Sequence, residues 1–152
     1  VFYGGYTSNN AKAYISKTST VPIINTNASV RYQSHVSNIG WQNAVADGAL
    51  AGTTGRALNV EAINMSLTGE MANQYDIYYR VHAQNYGWLG WAKNGEDAGS
   101  QGYAKHGQDA GTSGQNLHLE ALQIVLVKKG QSAPDTNYGG IISNNTMAYI
   151  AR

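Results

Sequence analysis

The sequence predicts an all-β protein: two diverged repeats packed into one compact antiparallel module, sandwich- or barrel-like, with strand-like segments at both ends. Three observations point there. The chain repeats itself internally, its apolar residues alternate with period two and nowhere hold a helical period over two capped turns, and its turns are built from glycine. Gly occurs 18 times against 2 for Pro, a balance suited to short strands joined by tight turns that need positive φ. Charged residues are only 12%, but 11 Tyr and 3 Trp distinguish the chain from a disordered one.

The first element is a motif rather than a strand. Tyr3-Gly4-Gly5, Ser8-Asn9-Asn10 and Ala13-Tyr14-Ile15 return at one constant offset as Tyr138-Gly139-Gly140, Ser143-Asn144-Asn145 and Ala148-Tyr149-Ile150. A chain that begins and ends on one motif reads as a piece of a longer array. Residues 1–17 are then the tail motif of a preceding module, 18–29 a polar linker, and 137–152 the closing tail of this one. The triplets Ala13-Tyr14-Ile15 and Ala148-Tyr149-Ile150 are extended, aromatic and β-prone.

Between the tails lie the repeats, 30–67 and 76–126. Tyr32, His35, Asn38, Gly40 and Trp41 coincide without a gap with Tyr79, His82, Asn85, Gly87 and Trp88. Val30-Tyr32-Ser34-Val36 alternates, as does Ile77-Tyr79-Val81, so each repeat opens on a strand with one buried face. Gly52-Thr53-Thr54-Gly55 then matches Gly111-Thr112-Ser113-Gly114, and Leu58-Asn59-Val60-Glu61-Ala62-Ile63 matches Leu117-His118-Leu119-Glu120-Ala121-Leu122. The second repeat is longer because its glycine-rich loop is doubled: 94–102 is itself a copy of 106–114. In each closing strand the apolar parity slips near the Glu-Ala pair, from Leu58, Val60, Ala62 to Ile63, Met65, Leu67, and from Leu117, Leu119, Ala121 to Leu122, Ile124, Leu126. A slip at one place in both repeats predicts a β-bulge there.

The combined motif H-x-x-N-x-G-W, A-G-T-[TS]-G and L-x-[VL]-E-A-[IL] resembles that of the ChW family, the clostridial hydrophobic repeats named for an invariant tryptophan. The resemblance covers about 30–67 and 76–126, and Ala133 to Gly140 resembles the segment that closes such modules. It implies a secreted, cell-surface or cell-wall protein of Gram-positive bacteria, whose repeats bind wall glycan, other polysaccharide or protein.

Candidate residues divide into a shared signature and a variable set. Trp41 and Trp88, each beside a glycine, read as core tryptophans under a turn in preference to sugar-stacking platforms. His35 and His82 lack partners at a metal-ligand or acid–base spacing and read as structural. Glu61 and Glu120, placed alike, point to one structural job done twice, such as accepting backbone N–H groups at the bulge, rather than to a glycosidase pair. Trp91, Tyr86 and Tyr103 face Ala44, Ile39 and Arg56 in the first repeat. Aromatics that the other repeat does without are better candidates for ligand contact, with Asn94, Gln101 and Asn85 to orient a sugar. Asp97 and Asp109 lie in the doubled loop without the spacing of a calcium loop.

Exclusions complete the reading. A net charge of +1 with no basic stripe argues against nucleic acid, the absence of Cys removes thiol chemistry, and no stretch approaches the about 20 apolar residues of a membrane span. No nucleophile, phosphate-loop or zinc motif occurs, so the chain is expected to be a non-enzymatic binder without metal or cofactor. Its expected partner is cell-wall glycan or polysaccharide, or else neighbouring copies of the same module in an assembled array.

Overall fold

The computed structural model describes residues 29–95 and 108–152. The 1–17 motif, the linker up to 28 and most of the doubled loop, with Asp97, Gln101 and Tyr103, lie outside the described residues.

The first repeat folds as β1 (Ser29–Val36), β2 (Gly40–Trp41), β3 (Val45–Ala46) and β4 (Val60–Thr68). After a one-turn helix α1 (Glu70–Gln74), the second gives β5 (Tyr75–Ala83), β6 (Gly87–Trp88), β7 (Ala92–Lys93), β8 (Ala110–Ser113) and β9 (Leu119–Lys128). A 3-10 turn at Tyr138–Gly140 and strand β10 (Tyr149–Ala151) follow. The helix α1 was not expected. It is five residues in the connector between the repeats, begins at Gly69 with φ 64 and buries no side chain, so it turns the chain without contributing to the core.

Both repeats use one plan. β1 pairs antiparallel with β4 as β5 does with β9, and the short strands fold back on the opening strand in the same register: His35 opposite Trp41, and His82 opposite Trp88. The N-x-G of the motif is the turn that makes this possible, with positive φ at Asn38 and Gly40 and again at Asn85 and Gly87. The expected bulges are present. The register slips between His35 and Val36, opposite Ala62 and Val60, and between His82 and Ala83, opposite Ala121 and Leu119. The extra residue is Glu61 in one strand and Glu120 in the other.

The repeats do not stay separate. β8 belongs to the second repeat by sequence but pairs with β4 of the first, Gly111 opposite Ala62 and Ala110 opposite Ile63. The larger sheet runs β10-β8-β4-β1-β2 with β3 also on β1, and the smaller is β6-β5-β7 with β9 on β5. β10 joins β8 in parallel, Tyr149 opposite Gly111, the one parallel pairing among the described strands. The core lies between the sheets. Ile77, Tyr79, Val81, Ala83, Leu89, Ala92 and Ala110 are buried, and Ile63, Met65 and Leu67 of β4 pack on them. Alternation predicts this face of β5, which is covered by the same alternation carried in β4.

Gly111 shows how close the exchange is. Its φ is +127, and a β-carbon there would stand 2.3 Å from the Glu61 carbonyl oxygen. Its equivalent Gly52 has φ +120 and no such neighbour. Gly111→Ala is therefore expected to cost at least about 2 kcal/mol in urea unfolding, clearly more than Gly52→Ala, where only the backbone strain of a positive φ applies.

Candidate functional site

Each bulge builds a small station of His, Trp and Glu. The His35 and Trp41 rings meet edge to face at 5.4 Å, and those of His82 and Trp88 at 5.6 Å. The bulged carboxylate lies behind the imidazole, Glu61 Oε2 at 3.1 Å from His35 Nδ1 and Glu120 Oε2 at 2.6 Å from His82 Nδ1. The stations differ in what else reaches them. Glu61 is 2% exposed and accepts the backbone N–H of Gly114 at 3.1 Å and of Asn116 at 2.9 Å, both from the second repeat's loop. The Glu120 side chain is 41% exposed and, among the described residues, has His82 and, at 3.6 Å, His118 Nε2 beside it. Trp41 and Trp88 are half-buried rather than core residues. They sit in two-residue strands, each ring set edge to face with its histidine.

The second repeat carries a further device centred on Arg80, which is completely buried. Its guanidinium lies 4.5 Å from the Trp91 ring and 5.3 Å from the Trp88 ring, a cation held between two indoles. Nε donates to Gln123 Oε1 at 2.6 Å. Nη1 donates to Ser143 Oγ and the Thr136 carbonyl, and Nη2 to the carbonyls of Tyr138 and Ile141. Burial pushes this guanidinium below its ordinary pKa, and the Asp135 carboxylate opposes the shift. Among the described residues no carboxylate bonds to it, and carbonyl dipoles and aromatic faces do the solvating.

These bonds explain the closing motif. The turn at Tyr138-Gly139-Gly140 brings the carbonyls of Tyr138 and Ile141 onto Arg80, Ser143 bridges Arg80 to the Leu89 carbonyl, and Asn144 accepts from the Trp88 N–H at 2.8 Å. Met147 accepts from the Gly90 N–H at 2.8 Å, and β10 follows. The segment is thus fastened residue by residue across the second repeat.

The candidates read from sequence fall into different places. Trp91 Nε1 donates to the Asp135 carbonyl at 2.9 Å, and its ring meets Tyr138 edge to face at 5.8 Å. Tyr86 packs beside the core and donates to Gln115 Oε1 at 2.8 Å. Asn94, with φ 43, accepts from the Ile77 N–H at 2.9 Å and donates to Asp76 at 2.7 Å. Asn85 forms the β5–β6 turn. Trp91, Tyr86 and Asn94 are therefore not gathered into one cleft. Gln101 and Tyr103 lie outside the described residues. Asp109 is buried and accepts from Asn64 Nδ2 at 2.6 Å, which makes it a link between β4 and the loop before β8. Among the described residues no group of three or more His, Asp or Glu is placed to hold a metal ion.

Two residues escaped the sequence reading. Arg80, a lone charge inside Ile77-Tyr78-Tyr79-Arg80-Val81, was itself a signal, since a cation on a strand buried on both faces needs a constructed pocket. Tyr138, 42% exposed, presents its ring beside Trp91 at the rim of a groove of about 590 Å³, formed with Val125, Val127, Pro134 and Asp135.

Two outcomes are expected. Arg80→Gln, which installs the residue found at the equivalent Gln33, strips the closing segment of its anchor. It should cost about 2–4 kcal/mol and expose 136–146 to limited proteolysis, read by mass spectrometry of the cut sites. The second concerns Asp76, whose carboxyl is held down to about 2 by Lys129, then Asn94 and Lys93. A depressed folded pKa adds stability that is complete above the unfolded value, about 4, and lost as pH falls through about 2. Melting temperature should drop across that window in the wild type, and more shallowly in Asp76→Asn.

The family model described as Clostridial hydrophobic W matches residues 35–69, 82–106 and 101–128. The first match covers the first repeat from its His–Trp–Glu station onward. The second and third meet inside the doubled loop, so that together they span the second repeat. Neither a curated protein nor a solved structure matches the chain. No helix among the described residues is long and apolar enough to cross a membrane. With more than half of its residues matched, and the motif's His, Gly, Trp and Glu each given a defined place in the fold, the chain belongs to the Clostridial hydrophobic W (ChW) family.

Proposed function

We propose that this chain is a non-catalytic binding module of a secreted, cell-surface protein, and that its ligand is cell-wall glycan or another polysaccharide. Family membership supports a cell-surface repeat module, and one observation carries the choice of ligand. The Tyr138 ring is exposed at the surface, fixed edge to face by Trp91, and opens onto a groove lined by apolar residues with Ser132, Asp135 and Lys128 interspersed. A rigid aromatic face beside a few polar groups suits a pyranose, whose C–H face stacks while its hydroxyls bond at the edge. Trp91 then acts from behind the binding surface. Arg80 immobilises Trp91, so little conformational entropy remains to be lost on binding.

A second reading, assembly with neighbouring copies, is favoured by a different observation, the uncovered apolar face of β9.

Co-sedimentation with purified wall sacculi, followed by a glycan array, tests the first reading. Tyr138→Ala should lower retention by about tenfold, the loss of roughly one stacking contact, while the melting temperature stays near that of the wild type. Equal retention of the two proteins, or none by the wild type, sinks it.

A further inference from the structure

The two repeats are alike in sequence and register, but among the described residues only the first has its closing strand covered. Three contacts make that cover. Ala110 and Gly111 of the second repeat pair along the outer edge of β4. The N–H groups of Gly114 and Asn116 cap the bulged Glu61. Ile77, Tyr79 and Val81 pack on Ile63, Met65 and Leu67.

β9 offers the same three features, and no described residue occupies them. Among the described residues it pairs only with β5, its other edge has no described partner, and its bulged Glu120 receives no backbone N–H. Leu122, Ile124 and Leu126, the equivalents of Ile63, Met65 and Leu67, are 46%, 48% and 45% exposed. A long edge strand with an apolar face left open is a strong template for pairing.

The complementary surface belongs to the first repeat. In the first repeat's loop, Gly52, Gly55 and Ala57 have φ 120, 69 and 52, against 127, 70 and 56 at Gly111, Gly114 and Asn116. The loop thus already holds the shape that caps a bulged glutamate, including a positive φ at an alanine, which costs energy to maintain. Among the described residues no group accepts from the N–H of Gly55 or Ala57. Val30 and Tyr32, the equivalents of Ile77 and Tyr79, lie on the opening strand beside it, with Val30 37% exposed.

We infer that β9 is the docking site for a second copy of this chain, joined head to tail in the way its own two repeats are joined. The incoming Ala51-Gly52 pairs with Ala121-Leu122, the N–H groups of Gly55 and Ala57 cap Glu120, and Val30 and Tyr32 cover Ile124 and Leu126. The occupant follows from continuity with the internal junction, which shows both halves of the contact already made once. The inference deepens the assembly reading and rests on none of the glycan argument, although Leu126 also lines the groove beside Tyr138. The contact is heterologous, since each copy uses one surface to receive and another to insert.

Sedimentation velocity over a concentration series on the full chain tests it, with Ile124→Lys disabling the receiving face and Val30→Lys the inserting face. Both sites are on the surface, and circular dichroism confirms folding; Leu126→Lys replaces Ile124→Lys if the latter unfolds. Wild type should associate, each variant alone should stay monomeric, and the two variants mixed should form dimers, because each keeps the face the other lacks. A wild type monomeric up to about 1 mM overturns both docking and the assembly reading. Wild-type association that survives Ile124→Lys leaves assembly standing and overturns this site. Loss with Ile124→Lys but not with Val30→Lys, or a mixture that stays monomeric, shows β9 meeting something other than the inserting face, and overturns the head-to-tail arrangement.

Discussion

The fold depends on a buried carboxylate that the strand register would otherwise have no room for. Glu61 is the extra residue of the bulge in β4, and the bulge turns its side chain inward, where it lies against His35 and accepts N–H groups from a loop more than fifty residues away. Those N–H groups sit at left-handed turn positions, where the strand–loop transition leaves them without a sheet partner, and an ionised acceptor meets that need better than a carbonyl. Holding the loop there brings Gly111 against β4, which carries β8 into the first repeat's sheet and gives β10 an edge to join. If the carboxylate were moved by one residue, the N–H groups of Gly114 and Asn116 would lose their acceptor, leaving Asn59 Nδ2 on Asn116 and the short β4–β8 pairing to join the repeats at this end.

Arg80 performs a comparable service on the opposite face of β5. The first repeat has Gln33 there and lacks an indole at Ala44, so the difference between repeats is a cation and the aromatic ring that covers it. Variation between repeats had suggested Trp91 as a ligand contact. In the structure that variation first serves the chain's own closing segment, since Trp91, Arg80 and Ser143 form one connected set. A surface tyrosine fixed by such a set is a firmer platform than a free aromatic, which is how an intramolecular role and a binding role coexist at neighbouring positions.

Much of this was legible in the residues. Parity within each repeat gave the strands and their buried face, and the doubled parity slip located both bulges, because a side-chain period of two leaves no other way to change faces inside a strand. Asn and Gly at fixed offsets before Trp located the turns. The exchange of β8 was not legible. Ala110-Gly111-Thr112-Ser113 has no pattern that distinguishes pairing with its own repeat from pairing with the neighbour, and that choice is settled by Glu61, far away in sequence. The half-burial of Trp41 and Trp88 was likewise out of reach, since it follows from how short β2 and β6 are rather than from composition. Nor does period-two alternation mark Arg80, which lies on the face opposite the one it tracks.

The position of the guanidinium's partners also sets an order of events. Its carbonyl and hydroxyl acceptors lie 56 to 63 residues downstream, and β10 must reach back 36 residues or more to β8. Contacts of that span form late, because the loop they close loses entropy before they return any energy. Before 136–143 docks, Arg80 therefore has, among the described residues, only Gln123 and the two indoles beside it, with its carbonyl and hydroxyl acceptors still to arrive. The strands of the second repeat can pair before that segment docks, but a guanidinium without its acceptors resists burial, so the step that closes the cation's shell comes last.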